Sequence, residues 1–176
     1  MIETERLVLR DWTDQDRAAF HAMNSDPRVM ATIGPPQTRE EADAVIDDMR
    51  AKNREGLGLW AIERRADRRM LGFCGIGHAP AASPVEGELE IGWRLVHDAW
   101  GQGYAREAAE ASLAWAWTHT VRAKIVAITT PGNVRSWGLM KRIGMTRVAD
   151  GDFDHPALAE GDPLRRHLTY TIERPR

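Results

Sequence analysis

The chain has 176 residues, 43% of them hydrophobic and 28% charged, which fits one globular domain spanning 1–176. Its net charge of -2 gives no electrostatic reason to bind nucleic acid or an anionic membrane. A lone cysteine, Cys74, rules out a disulfide within the chain, and no apolar run approaches the ~20 residues needed to cross a bilayer.

The first residues lack a basic stretch followed by an apolar one, so a cytoplasmic protein is expected. The six histidines are scattered, and no His/Cys cluster has metal-ligand spacing, so no metal is expected. Residues 6–11 alternate as a strand with Leu7 and Leu9 on its apolar face. Thr13 or Asp14 can cap a helix over 14–24, and a short helical turn follows at 29–32 before Pro35 and Pro36 break the chain. Thr38 and Glu41 have capping-box spacing and start a helix reaching Arg54, with Ala42, Val45, Ile46 and Met49 along one face.

Three strands form a meander over 57–63, 70–78 and 86–96, with a polar turn at 64–69 and a Pro/Ala/Ser loop at 80–84. Cys74, inside the second of them, reads as a small buried hydrophobe. A helix over 104–118 carries Ala105, Ala108, Ala109, Ser112, Leu113 and Ala116, small residues that allow close packing on a sheet. The apolar run 125–129 is a strand buried on both faces. Asn133 caps a helix over 134–143 that Gly144 ends, and 145–149 and 164–173 are strands around a long loop at 151–163. This order predicts an α+β fold: a mostly antiparallel mixed central sheet of about seven strands flanked by helices.

The most informative stretch is 100–105, Trp-Gly-Gln-Gly-Tyr-Ala, between a strand and a helix. Gly101 and Gly103 lack the Cβ atoms that hold a ligand away from backbone N–H groups, and the following helix N-terminus adds about half a positive charge. Such a turn suits the pyrophosphate of a nucleotide-containing cofactor. A P-loop or Rossmann protein is excluded, because there is no Gly-Lys-Ser/Thr and a meander precedes the turn.

Five segments in order make the chain resemble the GNAT superfamily of acetyl-CoA-dependent N-acyltransferases, in the branch of the Rim-type ribosomal-protein N-terminal acetyltransferases. They are Glu5–Arg10 (Glu-Arg-Leu-Val-Leu-Arg), Glu90–Arg94 (Glu-Ile-Gly-Trp-Arg), the run from Trp100 to Ala108, Asn133–Ser136 with Lys141–Met145, and His167–Tyr170. The resemblance implies acetyl-CoA as co-substrate, held by Trp100, Gly101, Gln102, Gly103, Tyr104 and Ala105. Gly103 and Ala105 match the end of the superfamily's Gln/Arg-x-x-Gly-x-Gly/Ala motif, and Trp100 replaces its usual Gln or Arg. It further implies that Leu95 and Val96 meet the pantetheine arm through their backbone, that Asn133 bonds that arm or orients the nearby chain, and that a backbone N–H from Trp93–Leu95 serves the oxyanion.

Acetyl transfer to an amine needs a base, a stabiliser for the thioester oxygen and an outlet for the thiolate. Glu88 and Glu90 share strand parity and are the candidate bases. Glu90 is preferred, as a direct or water-mediated base, against an alternative in which it only orients the amine or forms an ion pair with Arg94 or Arg106. Met140 occupies a position where many superfamily members have an acid tyrosine, leaving Ser136, one turn earlier, as the candidate that polarises the thiolate. Trp12 and Trp93 are candidates for a substrate pocket, as are His155, Pro156, Glu160 and Asp162 in the late loop. The acceptor is a primary amine, a protein N-terminus or a small molecule, and the chain is expected to act as a monomer or homodimer. The alternative is a non-catalytic acyl-CoA-binding or regulatory module of the same fold.

Overall fold

The computed structural model describes residues 1–54 and 56–175. A short strand β1 (Ile2–Glu3) precedes β2 (Leu7–Arg10), whose Leu7 and Leu9 are fully buried. A 3-10 turn over Asp14–Asp16 leads into α1 (Arg17–Asn24), and Thr13 caps that turn: its backbone N–H and hydroxyl donate to Asp16 at 2.8 and 2.9 Å. Asp26 caps the single turn α2 (Pro27–Met30) by accepting from the Arg28 N–H. In α3 (Arg39–Arg54) the capping box forms as its spacing predicts, the Thr38 N–H donating to Glu41 and the Glu41 N–H to Thr38 Oγ1.

The meander follows as β3 (Leu59–Arg64), β4 (Met70–His78) and β5 (Leu89–Leu95). Next come α4 (Tyr104–His119), β6 (Lys124–Thr129), α5 (Val134–Arg142), β7 (Thr146–Arg147), β8 (Phe153–Asp154) and β9 (Arg166–Glu173). The sheet order is β1-β2-β3-β4-β5-β6-β9-β7, with β8 also on β9, and among the described residues only β5 and β6 run parallel. Nine strands stand where about seven are expected. The additions, β1 and β8, are two-residue edge pairs too short to give a periodic signal. For the same reason the strand expected over 145–149 shrinks to Thr146–Arg147.

The sheet separates two cores. On one face α4 and α5 lay Ala108, Ala109, Leu113, Leu139 and Met140 against Leu7, Ile62, Leu71, Ile91 and Ile125. On the other, α1, α2 and α3 cover Ala61, Met70 and Phe73 with Phe20, Val29 and Ile46. A large aliphatic side chain fully removed from water contributes about 1.5–3 kcal/mol, and both cores meet on β3 and β4, so most of that burial is concentrated in the middle of the sheet. β5 rides close over β4 at one crossing: a Cβ on Gly72 would stand 2.0 Å from the Arg94 carbonyl oxygen, and Gly72 has φ +143. That glycine lets the end of β5 lie where the cleft needs it.

Candidate active site

β5 and β6 pair at a single point, Glu90 opposite Val126, and then diverge. The direction in which β5 faces its backbone groups follows from its antiparallel ladder with β4. Val96 N–H donates to Leu71 O at 2.8 Å and Ala79 N–H to Glu88 O at 3.0 Å, so even-numbered residues of β5 bond to β4. Odd-numbered residues face β6. Beyond the Glu90–Val126 pair, Trp93 and Leu95 have no β6 residue opposite them, and their N–H groups face the gap. Of the expected pair, Leu95 faces the gap and Val96 does not. Val96 has both backbone groups engaged inside the fold, its carbonyl accepting from Ala99 at 3.0 Å, while Trp93 and Leu95 face the opening.

The gap opens into a cleft of about 580 Å³ between the 100–105 turn, the start of α5 and the α2 segment. Leu95, Trp100, Gly101, Gly103, Tyr104, Ala105, Asn133 and Ser136 all line it. Gly101 and Gly103 have φ of +74 and +82, left-handed values that disfavour side chains, and the space where a Gly101 Cβ would point is empty. Gln102 does not line the cleft. Its amide donates to Asp98 O at 2.6 Å, and its carbonyl accepts from Arg6 Nη1 at 2.9 Å. Arg6 in turn pairs with Glu107 at 2.7 Å, and Glu107 also accepts from Thr4 and from the Arg6 N–H, so the turn is clamped to β2 from beneath. Trp100 reaches back to donate its indole N–H to Leu95 O at 2.9 Å, with Arg135 over its ring at 4.9 Å. This residue, the departure from the usual Gln or Arg, braces the turn against β5.

Glu90 does not line that cleft. It stands at the last β5–β6 pair, with Val126 opposite it buried against Ala79 and Val85. Burial raises its carboxyl from 4.5 to about 7, against a smaller opposing pull from the Ile128 backbone N–H. The alternative ion pair with Arg94 or Arg106 does not form. Arg106 pairs with Glu110 at 2.7 Å, Arg94 Nη1 donates to Asn24 Oδ1 at 2.8 Å, and among the described residues Glu90 has no basic partner. Glu88 is paired with Lys124 at 3.1 Å.

Ser136 lines the cleft, and its hydroxyl has no partner among the described residues; Asn133 caps α5 by accepting from the Ser136 N–H at 3.3 Å. Met140, at 1% exposure, belongs to the core. Of the pocket candidates, Trp93 lines the cleft, whereas Trp12 is buried edge-on against Phe20 and donates to Leu59 O at 2.7 Å. His155, Pro156, Glu160 and Asp162 lie away from the cleft; the His155 ring is tilted against His167 at 5.0 Å, beside β8 and β9. The buried Cys74 thiol, pushed up to about 12 by burial, faces Ser112 in the core. Sequence reasoning missed the Arg6–Glu107 clamp and the unpaired state of Arg94. The first joins residues 101 positions apart, and the second is defined by what does not surround it. Among the described residues no group of three or more His, Cys, Asp or Glu is placed to hold a metal ion.

The acetyltransferase (GNAT) domain family matches residues 6–146. An uncharacterized N-acetyltransferase of Bacillus subtilis (strain 168), YnaD, is 33% identical over 150 residues, covering 83% of this chain and 82% of that protein. The crystal structure of a GNAT-family acetyltransferase from Bacillus anthracis superposes with a TM-score of 0.80 at 26% identity, covering 98% of each chain. The Mycobacterium smegmatis RimJ structure, in complex with CoA-disulfide, shares the fold with a TM-score of 0.73 at 21% identity, covering 95% of this chain and 81% of that one.

Proposed function

The chain belongs to the GNAT acetyltransferase family and is an acyltransferase, and from that premise we propose that it moves an acetyl group from acetyl-CoA to a primary amine by direct transfer in a ternary complex. The observation that carries the reading is Glu90: a carboxylate without a basic partner, raised to about 7, at the point where β5 and β6 part. The residues around the cleft fit the co-substrate. Two left-handed glycines with an open Cβ direction at Gly101 and a helix N-terminus suit a pyrophosphate, and the gap beside Trp93 and Leu95 suits an extended arm bearing amides. Acetyl-CoA supplies the activated acyl group.

The residues then divide the work. Glu90, with a pKa near neutrality, takes a proton from the acceptor's ammonium, directly or through water, and frees the neutral amine to attack the thioester carbon. The N–H groups of Trp93 and Leu95 face the gap and donate to the oxygen on which charge builds. Ser136, at the start of α5, donates to the departing sulfur. Asn133 fixes the first turn of α5 and so the place of that hydroxyl. The acceptor is a protein N-terminus or a small amine, the catalytic unit is the single domain 1–176 as a monomer or homodimer, and the site of action is the cytoplasm.

The test is thiol release from acetyl-CoA with a panel of amines and peptides, with products identified by mass spectrometry. Acceptor-dependent release with a product 42 mass units heavier, the added mass of one acetyl group replacing a proton (about 42), is expected. CoA binding without release for any acceptor removes the catalytic reading.

A further inference from the structure

Among the described residues, Arg94 is the cleft arginine whose Nε is buried without a hydrogen-bond partner and which pairs with no carboxylate. It lies on β5 with the same parity as Glu90, so both side chains leave the strand on the face covered by α1, α2 and α3. Phe73, its register partner on β4, lies under the guanidinium at 5.6 Å. Nη1 donates to Asn24 Oδ1 at 2.8 Å, and Asn24 is itself fully buried, its amide donating to Gln37 Oε1 at 2.9 Å. Gln37 thus fixes which end of the Asn24 amide faces the arginine, and the arginine is oriented by a neutral acceptor. Nε is withdrawn from water and has no hydrogen-bond partner. One Nη1–H is taken by a neutral oxygen and the Nε–H is buried without an acceptor, a costly arrangement unless a ligand completes it.

Among the described residues no carboxylate balances the charge. Burial alone sets its proton affinity, lowering it to about 10, with no carboxylate contributing, so Arg94 stays protonated at neutral pH. Of the other cleft arginines, Arg28 pairs with Asp26 at 2.7 Å and Arg106 with Glu110 at 2.7 Å, while Arg135, set over the Trp100 ring, and Arg142 are exposed to solvent. Arg94 also lies on the strand that carries the proposed base, four residues away, and not on the glycine turn.

We propose that Arg94 binds a carboxylate of the acceptor, so that the preferred substrates are amines that also carry a carboxylate, an amino acid or a short amino-acid derivative. The proposal rests on the N-acetyltransferase reading and deepens it. The planar guanidinium matches a carboxylate in shape and charge. The same cation repels polyamines, which would meet an uncompensated positive charge beside the amine site.

The experiment measures acetyl transfer to matched pairs, alanine, β-alanine and 4-aminobutyrate each against its carboxamide, with spermidine as the polycation. It uses the wild type, Arg94→Met and Arg94→Lys. In the wild type, kcat/KM for the best carboxylate is expected to exceed that of its carboxamide by about 100-fold, the scale of one charge-assisted hydrogen-bonded pair. Arg94→Met brings the two within about threefold through the acceptor KM, with the acetyl-CoA KM unchanged, and Arg94→Lys restores part of the preference. The proposal is overturned by a wild type that prefers carboxamides or spermidine, or by an Arg94→Met variant that keeps the preference. It is overturned equally if Arg94→Met raises the acetyl-CoA KM instead, which assigns the cation to the phosphates of the co-substrate.

If no amine is acetylated, the transferase reading fails, and Arg94 is judged by binding alone. N-acetylalanine and its carboxamide are titrated calorimetrically into each protein saturated with CoA. Carboxylate-dependent binding that Arg94→Met abolishes supports the anion site, and equal behaviour of the two proteins rejects it.

Discussion

Two arginines on the sheet are both largely removed from solvent and are treated in opposite ways. Arg10, at the end of β2, is fully paired: it grips Asp16 through two bonds of 2.8 and 2.9 Å and Glu63 through one of 2.7 Å. The hydrogen bonds it donates to Asp16 push its proton affinity up despite burial. Burial pushes Asp16 up too, but Arg10 and Thr13 outweigh it and hold that carboxyl below its ordinary value. Arg94 has one neutral acceptor and an empty Nε, and Glu90 on the same strand has no cation. Where the chain needs a charge for the fold, it pairs it; along β5 beside the splay, charges of both signs are buried partly and left open. Uncompensated charge costs stability, so its presence at the strand that ends in the cleft marks the place where a ligand completes the electrostatics.

The contrast can be broken from either side. Arg10→Met leaves the buried Asp16 and Glu63 without their shared partner and is expected to lower stability by about 3 kcal/mol in urea unfolding. Arg94→Met removes a cation that no carboxylate among the described residues pairs with, and its stability is expected to stay within about 1 kcal/mol of wild type. A larger loss at Arg94 than at Arg10 would reverse the assignment of structural and functional charge.

Glu90→Gln comes next: kcat falls about 100-fold or more while acetyl-CoA affinity, measured by calorimetry, holds. The sign of the pH dependence follows from the raised pKa. Below about 7 the carboxyl is protonated and cannot take a proton, so kcat/KM rises with pH through that value, and Glu90→Gln flattens this limb. The same shift makes the folded state hold the Glu90 proton more tightly than the unfolded chain between 4.5 and about 7. Stability from this group therefore declines as pH climbs through that window, and Glu90→Gln removes the decline.

Gly101→Ala is smaller. No protein atom lies within 4 Å of the added Cβ, so the fold bears only the left-handed strain, about 1 kcal/mol. A methyl in the path of the phosphates is expected to raise the acetyl-CoA KM about 10-fold, an effect of roughly 1.4 kcal/mol. Ser136→Ala is smallest, at most a few-fold in kcat, because a thiolate is a tolerable leaving group in water. An unchanged kcat would leave the α5 hydroxyl with a packing role only.

Much of this protein is legible in its sequence because the signals are local. The capping box of Thr38 and Glu41, the apolar stripe of α4, the glycines of the 100–105 turn and the Asn133 cap each depend on residues within a few positions, and each forms as its spacing predicts. The resemblance carried by those segments likewise places the chain in the acetyltransferase family that matches it. Tertiary structure decided the rest, because it turns on distance and absence. The backbone face that Trp93 and Leu95 turn to the gap depends on the phase of the β4–β5 ladder, which a one-residue slip would invert. The late-loop candidates fell away because β8 ties His155 to β9 and not to the cleft. Glu90 and Arg94 stand four residues apart in a row of letters where an ion pair looks natural. Folding sends one toward the β5–β6 junction and the other to Asn24, and only burial without a partner makes either of them chemically distinctive.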